Sequence, residues 1–378
     1  MTDSHYPDIS YAAFRPYPFG GGGNHAFLRS LDRYCGFGKV SLHVDVPHVP
    51  EHLRCSDSKV KIGLLHPGRL PAPASLGTVL VGAAELIHDS TAIDVAEVTN
   101  LPAVQLLRRA RTNGKRTVTT VLETCHSRVF DRLPPFRTLI RRAIEFTDMF
   151  RVATRRSRDY LVALGAPPDS IQVLPVGIDS SLFFPPRDRR TDGRFRLLFA
   201  RRLEPKNGVD LLLDILPKLI RQIPNFELWI AGAGPMRSEV VRRSACLPVR
   251  IVGQIQYEEL GNLYRDVDVY CNPAQDLFVL GRTFQEDGQY SFPLLEAQRC
   301  GLPVVTTDSG ANREILAPGN PVVPQRNSTA LVDAIVQLAS DRRRQELGKA
   351  NANFIAQRFD AERLQQKFDR AVAELGSG

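Results

Sequence analysis

Two stretches of this sequence place charged and backbone groups where an anionic substrate could be held and cleaved. The first is the run from Gln285 to Leu316, QEDGQYSFPLLEAQRCGLPVVTTDSGANREIL. Pro293 suits the opening position of a helix, where its missing N–H costs nothing, and Gly301 suits the left-handed residue that closes one. The short helix so bounded carries Glu296 in its first turn. Tyr290, Ser291 and Phe292, just before the proline, present backbone N–H groups at a helix N-terminus, a natural site for an anion. A carboxylate beside such a phosphate cradle suits a sugar nucleotide, because it accepts hydroxyl hydrogen bonds from a ribose while the amides hold the diphosphate. The apolar run Leu302 to Val305 then reads as a buried parallel strand. It delivers Thr306, Thr307, Asp308 and Ser309 into a loop at the strand end where open α/β sheets bind ligands.

The second stretch is RFRLLFARRLEPKNGVDLLLDIL, residues 194–216. Its strand runs into a loop bearing Arg201 and Lys206, two cations placed to converge on one diphosphate. Fixed positive charge there stabilises the negative charge that develops as a sugar–phosphate bond breaks. Arg202 reads as a solvated neighbour. A further strand, FELWIA, ends in Gly232, Ala233, Gly234 and Pro235, a backbone turn and a poor dinucleotide signature.

The elements that must position these groups alternate between strand and helix. Strands are expected at Ile9 to Phe14, Val40 to Val46, Val60 to Leu65, Val79 to Val81, Ala92 to Val98 and Arg116 to Leu122, with a helix over Pro102 to Arg111. Gly20 to Gly23 form a tight turn after the first strand, and Asn24 is placed to cap the next helix. Such alternation implies right-handed crossovers and a mostly parallel sheet. The Pro-, Arg- and Asp-rich stretch from Phe184 to Gly193 reads as a linker, and the segment Ala350 to Leu375 reads as helical. The chain thus divides into an N-terminal Rossmann-like domain, 1–185, a second, 186–360, and a final helix, 361–378.

The 378 residues carry 49 basic and 41 acidic side chains, a net charge of +8 that favours an anionic partner. Aromatic residues are not interleaved with the basic clusters, which argues against nucleic acid. The densest basic segment, Arg137 to Arg158, includes Arg141, Arg142, Arg151, Arg155 and Arg156 on expected helix; it reads either as a solvated face or as a patch for an anionic membrane surface. No run approaches the ~20 apolar residues of a membrane span, and the start MTDSHYPDIS is no signal peptide, which together predict a cytoplasmic protein, with peripheral association at the inner membrane face left open. The six cysteines are scattered without a CxxC pair, read as reduced and structural, and no metal site is expected.

The run from Gln285 to Leu316 resembles the donor-site signature of glycosyltransferase family 4, whose retaining, nucleotide-sugar-dependent members have the GT-B fold of two Rossmann-like domains facing a cleft. The usual signature has two glutamates separated by seven residues. Glu296 fits the second, while Gly288 stands at the first and Glu286 and Asp287 lie just upstream as a displaced carboxylate. Arg201 and Lys206 match the family's basic pair, with Ala200 where glycine is usual and Asn207 interrupting the usual Lys-Gly step. Val176, Gly177, Ile178 and Asp179 match the close of the first domain.

The resemblance implies further roles. Gly22 and Gly23 would approach the donor phosphates or the acceptor, and Gly234 would turn the backbone beneath the donor. Glu123 and His126 would face the acceptor. The final helix would cross back onto the first domain. The resemblance also implies transfer of a hexose from a nucleoside-diphosphate sugar, GDP-mannose or a UDP-sugar, to a hydroxyl of a glycan, lipid or small molecule. The donor is a co-substrate; no cofactor and no metal are implied. A nucleotide-sugar epimerase or hydrolase of the same fold, and a binding protein that has lost catalysis, are the rivals.

Overall fold

The computed structural model describes residues 6–15, 22–44, 60–64, 66–69, 78–81, 87–99, 101–122, 131, 133–188, 190, 192–279, 282–285, 290–339 and 341–375. The chain folds as two compact α/β units, residues 1–177 with 361–378 and residues 178–360. The division falls at Gly177, N-terminal to the proline-rich stretch read as a linker.

The first unit runs β1 (Tyr6–Arg15), α1 (Gly22–Tyr34), β2 (Phe37–Val44), β3 (Val60–Leu64), β4 (His66–Arg69), β5 (Thr78–Val81), β6 (Ala92–Ala96), α2 (Leu101–Thr112), β7 (Arg116–Val121), α3 (Phe136–Phe146), β8 (Met149–Val152), α4 (Arg155–Ala163) and β9 (Ile171–Val173). Its seven-stranded sheet has the order β3-β2-β1-β6-β7-β8-β9, with every neighbouring pair parallel. All five residues of β6 are buried, as a strand covered on both faces requires. Its one acid, Asp94, is satisfied inside the sheet. Tyr11 Oη donates to it at 2.5 Å from β1 and Thr120 Oγ1 at 2.9 Å from β7.

The second unit runs β10 (Phe195–Ala200), α5 (Val209–Gln222), β11 (Phe226–Ala231), α6 (Arg237–Arg243), β12 (Val249–Gly253), α7 (Leu260–Arg265), β13 (Val269–Asn272), β14 (Leu277–Val279), β15 (Arg282–Gln285), α8 (Phe292–Arg299), β16 (Val304–Thr307), α9 (Asn312–Ile315), β17 (Val322–Val323), α10 (Ser328–Gln337) and α11 (Asp341–Arg358). The six-stranded parallel sheet has the order β12-β11-β10-β13-β16-β17. Helix α5 places Val209, Leu212, Leu216 and Leu219 in the core with Leu197, Phe199 and Leu228 of the sheet and Leu331 and Ile335 of α10. Each such side chain contributes about 1.5–3 kcal/mol when buried. Sequence order runs outward both ways from the β10/β13 pair. That makes its C-terminal end the switch point of this sheet.

The last helix, α12 (Ala361–Glu374), belongs to the first unit and packs on α1 and β1. Ser30 Oγ donates to Gln365 Oε1 at 2.9 Å, and the Gly36 N–H donates to Asp369 at 2.6 Å.

The structure adds to or departs from the sequence reading at several places. The helical terminal segment is two helices, the second beginning at Ala361. Phe359 and Asp360 interrupt it because their backbone pairs with the chain at Ile178, whose N–H donates to the Phe359 carbonyl at 2.7 Å. Helix α1 begins at Gly22, so Asn24 lies inside its first turn and is not its cap. Strand β5 pairs antiparallel with β4, outside the main sheet. An antiparallel hairpin, β14 with β15, stands between β13 and α8 where the sequence reading has no strand. Finally, Arg151 is on strand β8 and not on a basic helix. It is 1% exposed, with its guanidinium 4.3 Å from the centre of the Phe368 ring and Nε bonded to the Leu174 carbonyl at 2.8 Å. Arg137, Arg141 and Arg142 of α3 and Arg155 and Arg156 of α4 are exposed.

Candidate functional site

The site is built where β10 and β13 end side by side. The chain leaves β10 at Ala200, and Arg201 follows at once. Its Nη1 donates to Asn272 Oδ1, at the end of β13, at 2.6 Å. Asn272 is fully buried and donates through Nδ2 to Thr306 Oγ1 of β16 at 3.1 Å. Asn312 Nδ2 donates to the same hydroxyl at 3.1 Å and lies 3.1 Å from Ser309 Oγ. Thr307 Oγ1 donates to the Ala274 carbonyl. One polar lattice therefore ties together the ends of three adjacent strands. Buried polar groups this well satisfied hold their geometry.

Lys206 sits in a short 3₁₀ turn, Pro205–Asn207, on the same β10–α5 loop and is half-buried, with Nζ 3.9 Å from Glu204. Asn207 closes the loop by donating to the Arg202 carbonyl at 2.7 Å. Gly208 then turns left-handed at φ +75°, where a Cβ would stand 1.9 Å from the Pro273 carbonyl oxygen. The Asn-Gly step thus packs the loop onto the end of β13. Arg202 is exposed and pairs with Glu204 at 2.5 Å, as a solvated neighbour does.

The Gly232-Ala233-Gly234 turn after β11 supports this loop from the other side. Leu203 N–H donates to the Ala233 carbonyl at 2.9 Å, and Met236 N–H to the Leu203 carbonyl at 3.0 Å. A Cβ at Gly232 would lie 2.1 Å from the Arg201 carbonyl oxygen, and one at Gly234 would lie 2.5 Å from that of Leu203. Both glycines exist so that two backbones can touch.

Helix α8 packs against β13 and β16. It starts at Phe292 with Ser291 at its N-cap, one residue before the proline expected to open it. The Ser291 hydroxyl is buried, caps no N–H, and makes no hydrogen bond among the described residues. Tyr290 and Phe292 are buried, their rings edge to face at 5.1 Å.

Glu296 requires a correction. With the helix starting at Phe292 it lies in the second turn, not the first, and points inward, 1% exposed. Tyr264 Oη of α7 donates to its Oε2 at 2.9 Å. Burial raises its pKa to about 7, against the hydrogen bond from Tyr264 that pulls the other way. Its carboxylate therefore braces α8 against α7 from within. Gln298 does similar work, holding the Leu294 and Ile315 carbonyls at 2.9 and 3.1 Å and the Ala317 N–H at 2.7 Å.

Gly22 and Gly23 form the start of α1 in the first unit, where the N–H groups of a first turn have no partner within their own helix. Glu123, His126, Glu286, Asp287 and Gly288 lie outside the described residues. Burial pushes the Cys300 thiol up to about 12 and raises Cys271 as well, so neither supplies a thiolate nucleophile at neutral pH. Sequence reasoning missed Asn272, because an asparagine ending an apolar strand carries no local mark of its partners 71 and 34 residues away.

Among the described residues no helix is long and apolar enough to cross a membrane. The fold is shared with solved structures. The Anabaena protein HepE, crystallised in complex with UDP, matches with a TM-score of 0.76 at 14% identity, over 97% of this chain and 100% of that one. A sucrose-phosphate synthase from Thermosynechococcus elongatus matches with a TM-score of 0.74 at 17% identity, over 98% and 99%. In sequence, a GDP-mannose-dependent alpha-(1-6)-phosphatidylinositol monomannoside mannosyltransferase of Mycolicibacterium smegmatis is 30% identical over 233 residues, 58% of this chain and 60% of the relative. The enzyme of the same name from Mycobacterium tuberculosis is 27% identical over 292 residues, 72% of each. Residues 194–341, which hold the lattice, the Arg201–Lys206 loop and α8, match the family described as Glycosyl transferases group 1.

Proposed function

We propose that this protein transfers a hexose from a nucleoside-diphosphate sugar to a hydroxyl acceptor, with retention at the anomeric carbon. The observation that carries the reading is Arg201, fixed by Asn272 at the switch point of the second sheet, with Lys206 on the same loop. The N-terminus of α8, with the unengaged Ser291 hydroxyl, adds backbone donors beside β13 and β16. Cations and amides of this kind stabilise a leaving diphosphate without a bound metal. The leaving diphosphate, on the face the acceptor attacks, takes the acceptor's proton, so no side chain need act as base. Glu296 supports α8 from beneath, its Oε2 accepting from Tyr264.

The names of the sequence relatives favour GDP-mannose as donor and a phosphoinositide glycolipid as acceptor. The exposed arginines of α3 and α4 suit peripheral binding to an anionic lipid surface. The test is calorimetric titration with GDP-mannose and UDP-glucose, in EDTA. One donor binds wild type, and Arg201→Ala weakens it by roughly 10–100-fold, the range for losing a charged hydrogen bond. Absence of binding by either donor refutes the reading, and a strict need for added metal refutes the metal-free mechanism.

A further inference from the structure

We infer that Asn272 is a positioning residue for the Arg201 guanidinium, an inference that rests on the donor reading above. Asn272 is the last residue of β13 and its side chain has no solvent exposure. Its orientation is settled by its partners. A guanidinium only donates, so the amide oxygen must face Arg201 Nη1, at 2.6 Å. The amide nitrogen then meets Thr306 Oγ1 at 3.1 Å, and that hydroxyl lies 3.1 Å from Asn272's own backbone carbonyl, to which it can donate. Asn312 Nδ2 closes the set at 3.1 Å from Thr306 Oγ1. The guanidinium is thereby tied to a buried lattice reaching across β10, β13 and β16 into the start of α9.

Two physical consequences follow for an arriving diphosphate. An arginine on a loop loses rotamer freedom when it closes on an anion, and a side chain already held in place loses less. The holding group is also a neutral amide, which fixes direction without adding negative charge where a diphosphate would bind. A carboxylate at the same position would hold the guanidinium equally well and compete with the ligand for it. A residue serving only to fill the sheet end would do neither, and could be changed without regard to Arg201.

The experiment is a double-mutant cycle on the full chain, with GDP and UDP titrated calorimetrically into wild type, Arg201→Ala, Asn272→Asp, Asn272→Ala and the two double variants. The expected result is that each Asn272 variant weakens the nucleotide that wild type binds by about tenfold or more, and that Asn272→Ala has no further effect in the Arg201→Ala background. Additive losses in the Asn272→Ala cycle, or unchanged affinity in the Asn272 variants, overturn the inference while leaving the donor reading intact. If both Asn272 variants fail to fold while Arg201→Ala folds, Asn272 belongs to the core alone and the inference is overturned. If wild type binds neither nucleotide, the donor reading fails and the inference with it.

Discussion

At the scale of single residues, Glu296 makes a prediction that a surface carboxylate would not. Its pKa stands at about 7 in the folded chain against an ordinary value of 4.5, because burial disfavours the charged form. Below 4.5 both folded and unfolded chains hold the proton and the group contributes nothing. Between 4.5 and about 7 the unfolded chain releases it first, so stability falls as pH rises, by a total of about 3 kcal/mol. Glu296→Gln removes the ionisation while keeping the shape. Thermal melts should show the variant equal to wild type near pH 4.5 and more stable than wild type above pH 7. Parallel pH profiles for the two proteins would contradict the burial of this carboxylate.

At the scale of elements, the β10–α5 loop is shaped by backbone contact and not by its charges. Gly234 has φ +157° and Gly208 φ +75°, and in both a Cβ would strike a carbonyl oxygen, of Leu203 and Pro273 respectively. Alanine at either position should cost about 1–3 kcal/mol in chemical denaturation, through strain that displaces the loop carrying Arg201 and Lys206. Donor affinity should therefore fall in these variants although neither adds or removes a charge. Retained affinity with lost stability would separate the loop's shape from its function. The terminal helix α12 offers a parallel case in the first unit. Asp369→Ala leaves the Gly36 N–H without the acceptor now at 2.6 Å, a loss of about 1–3 kcal/mol for a partly buried donor.

At the scale of the molecule, the two units have separate cores, and both the family match at residues 194–341 and the proposed donor site lie in the second. Hydrogen exchange can test that division. A saturating donor nucleotide, at ~100 times its dissociation constant, stabilises what it binds by about 2.7 kcal/mol. Exchange should slow at the Arg201–Gly208 loop, Asn272 to Ala274 and the start of α8, all in residues 178–360. Asp369→Ala should instead speed exchange in α1, β2 and α12 of the first unit. Slowing spread evenly over both units would argue against a donor site held by the second alone.

The sequence by itself determined the parts of this protein that local chemistry can specify. Apolar runs such as Leu302 to Val305, which leads into β16, mark buried parallel strands, since a strand covered on both faces carries apolar side chains throughout. Arg201 and Lys206 follow a strand directly, and Gly232 and Gly234 follow another, so spacing alone placed them at strand ends. Tertiary structure decided what depends on distant partners. Asn272 became part of the site because strand order sets β10 and β16 on either side of β13. Glu296 turned inward because α7 offers it the Tyr264 hydroxyl, and Arg151 went inside because Phe368, more than two hundred residues later, supplies a ring to cover it. The terminal helix broke at Phe359 because the backbone at Ile178 pairs with it. In each case the deciding hydrogen bond or contact joins segments that only the folded chain brings together, so no local pattern records it.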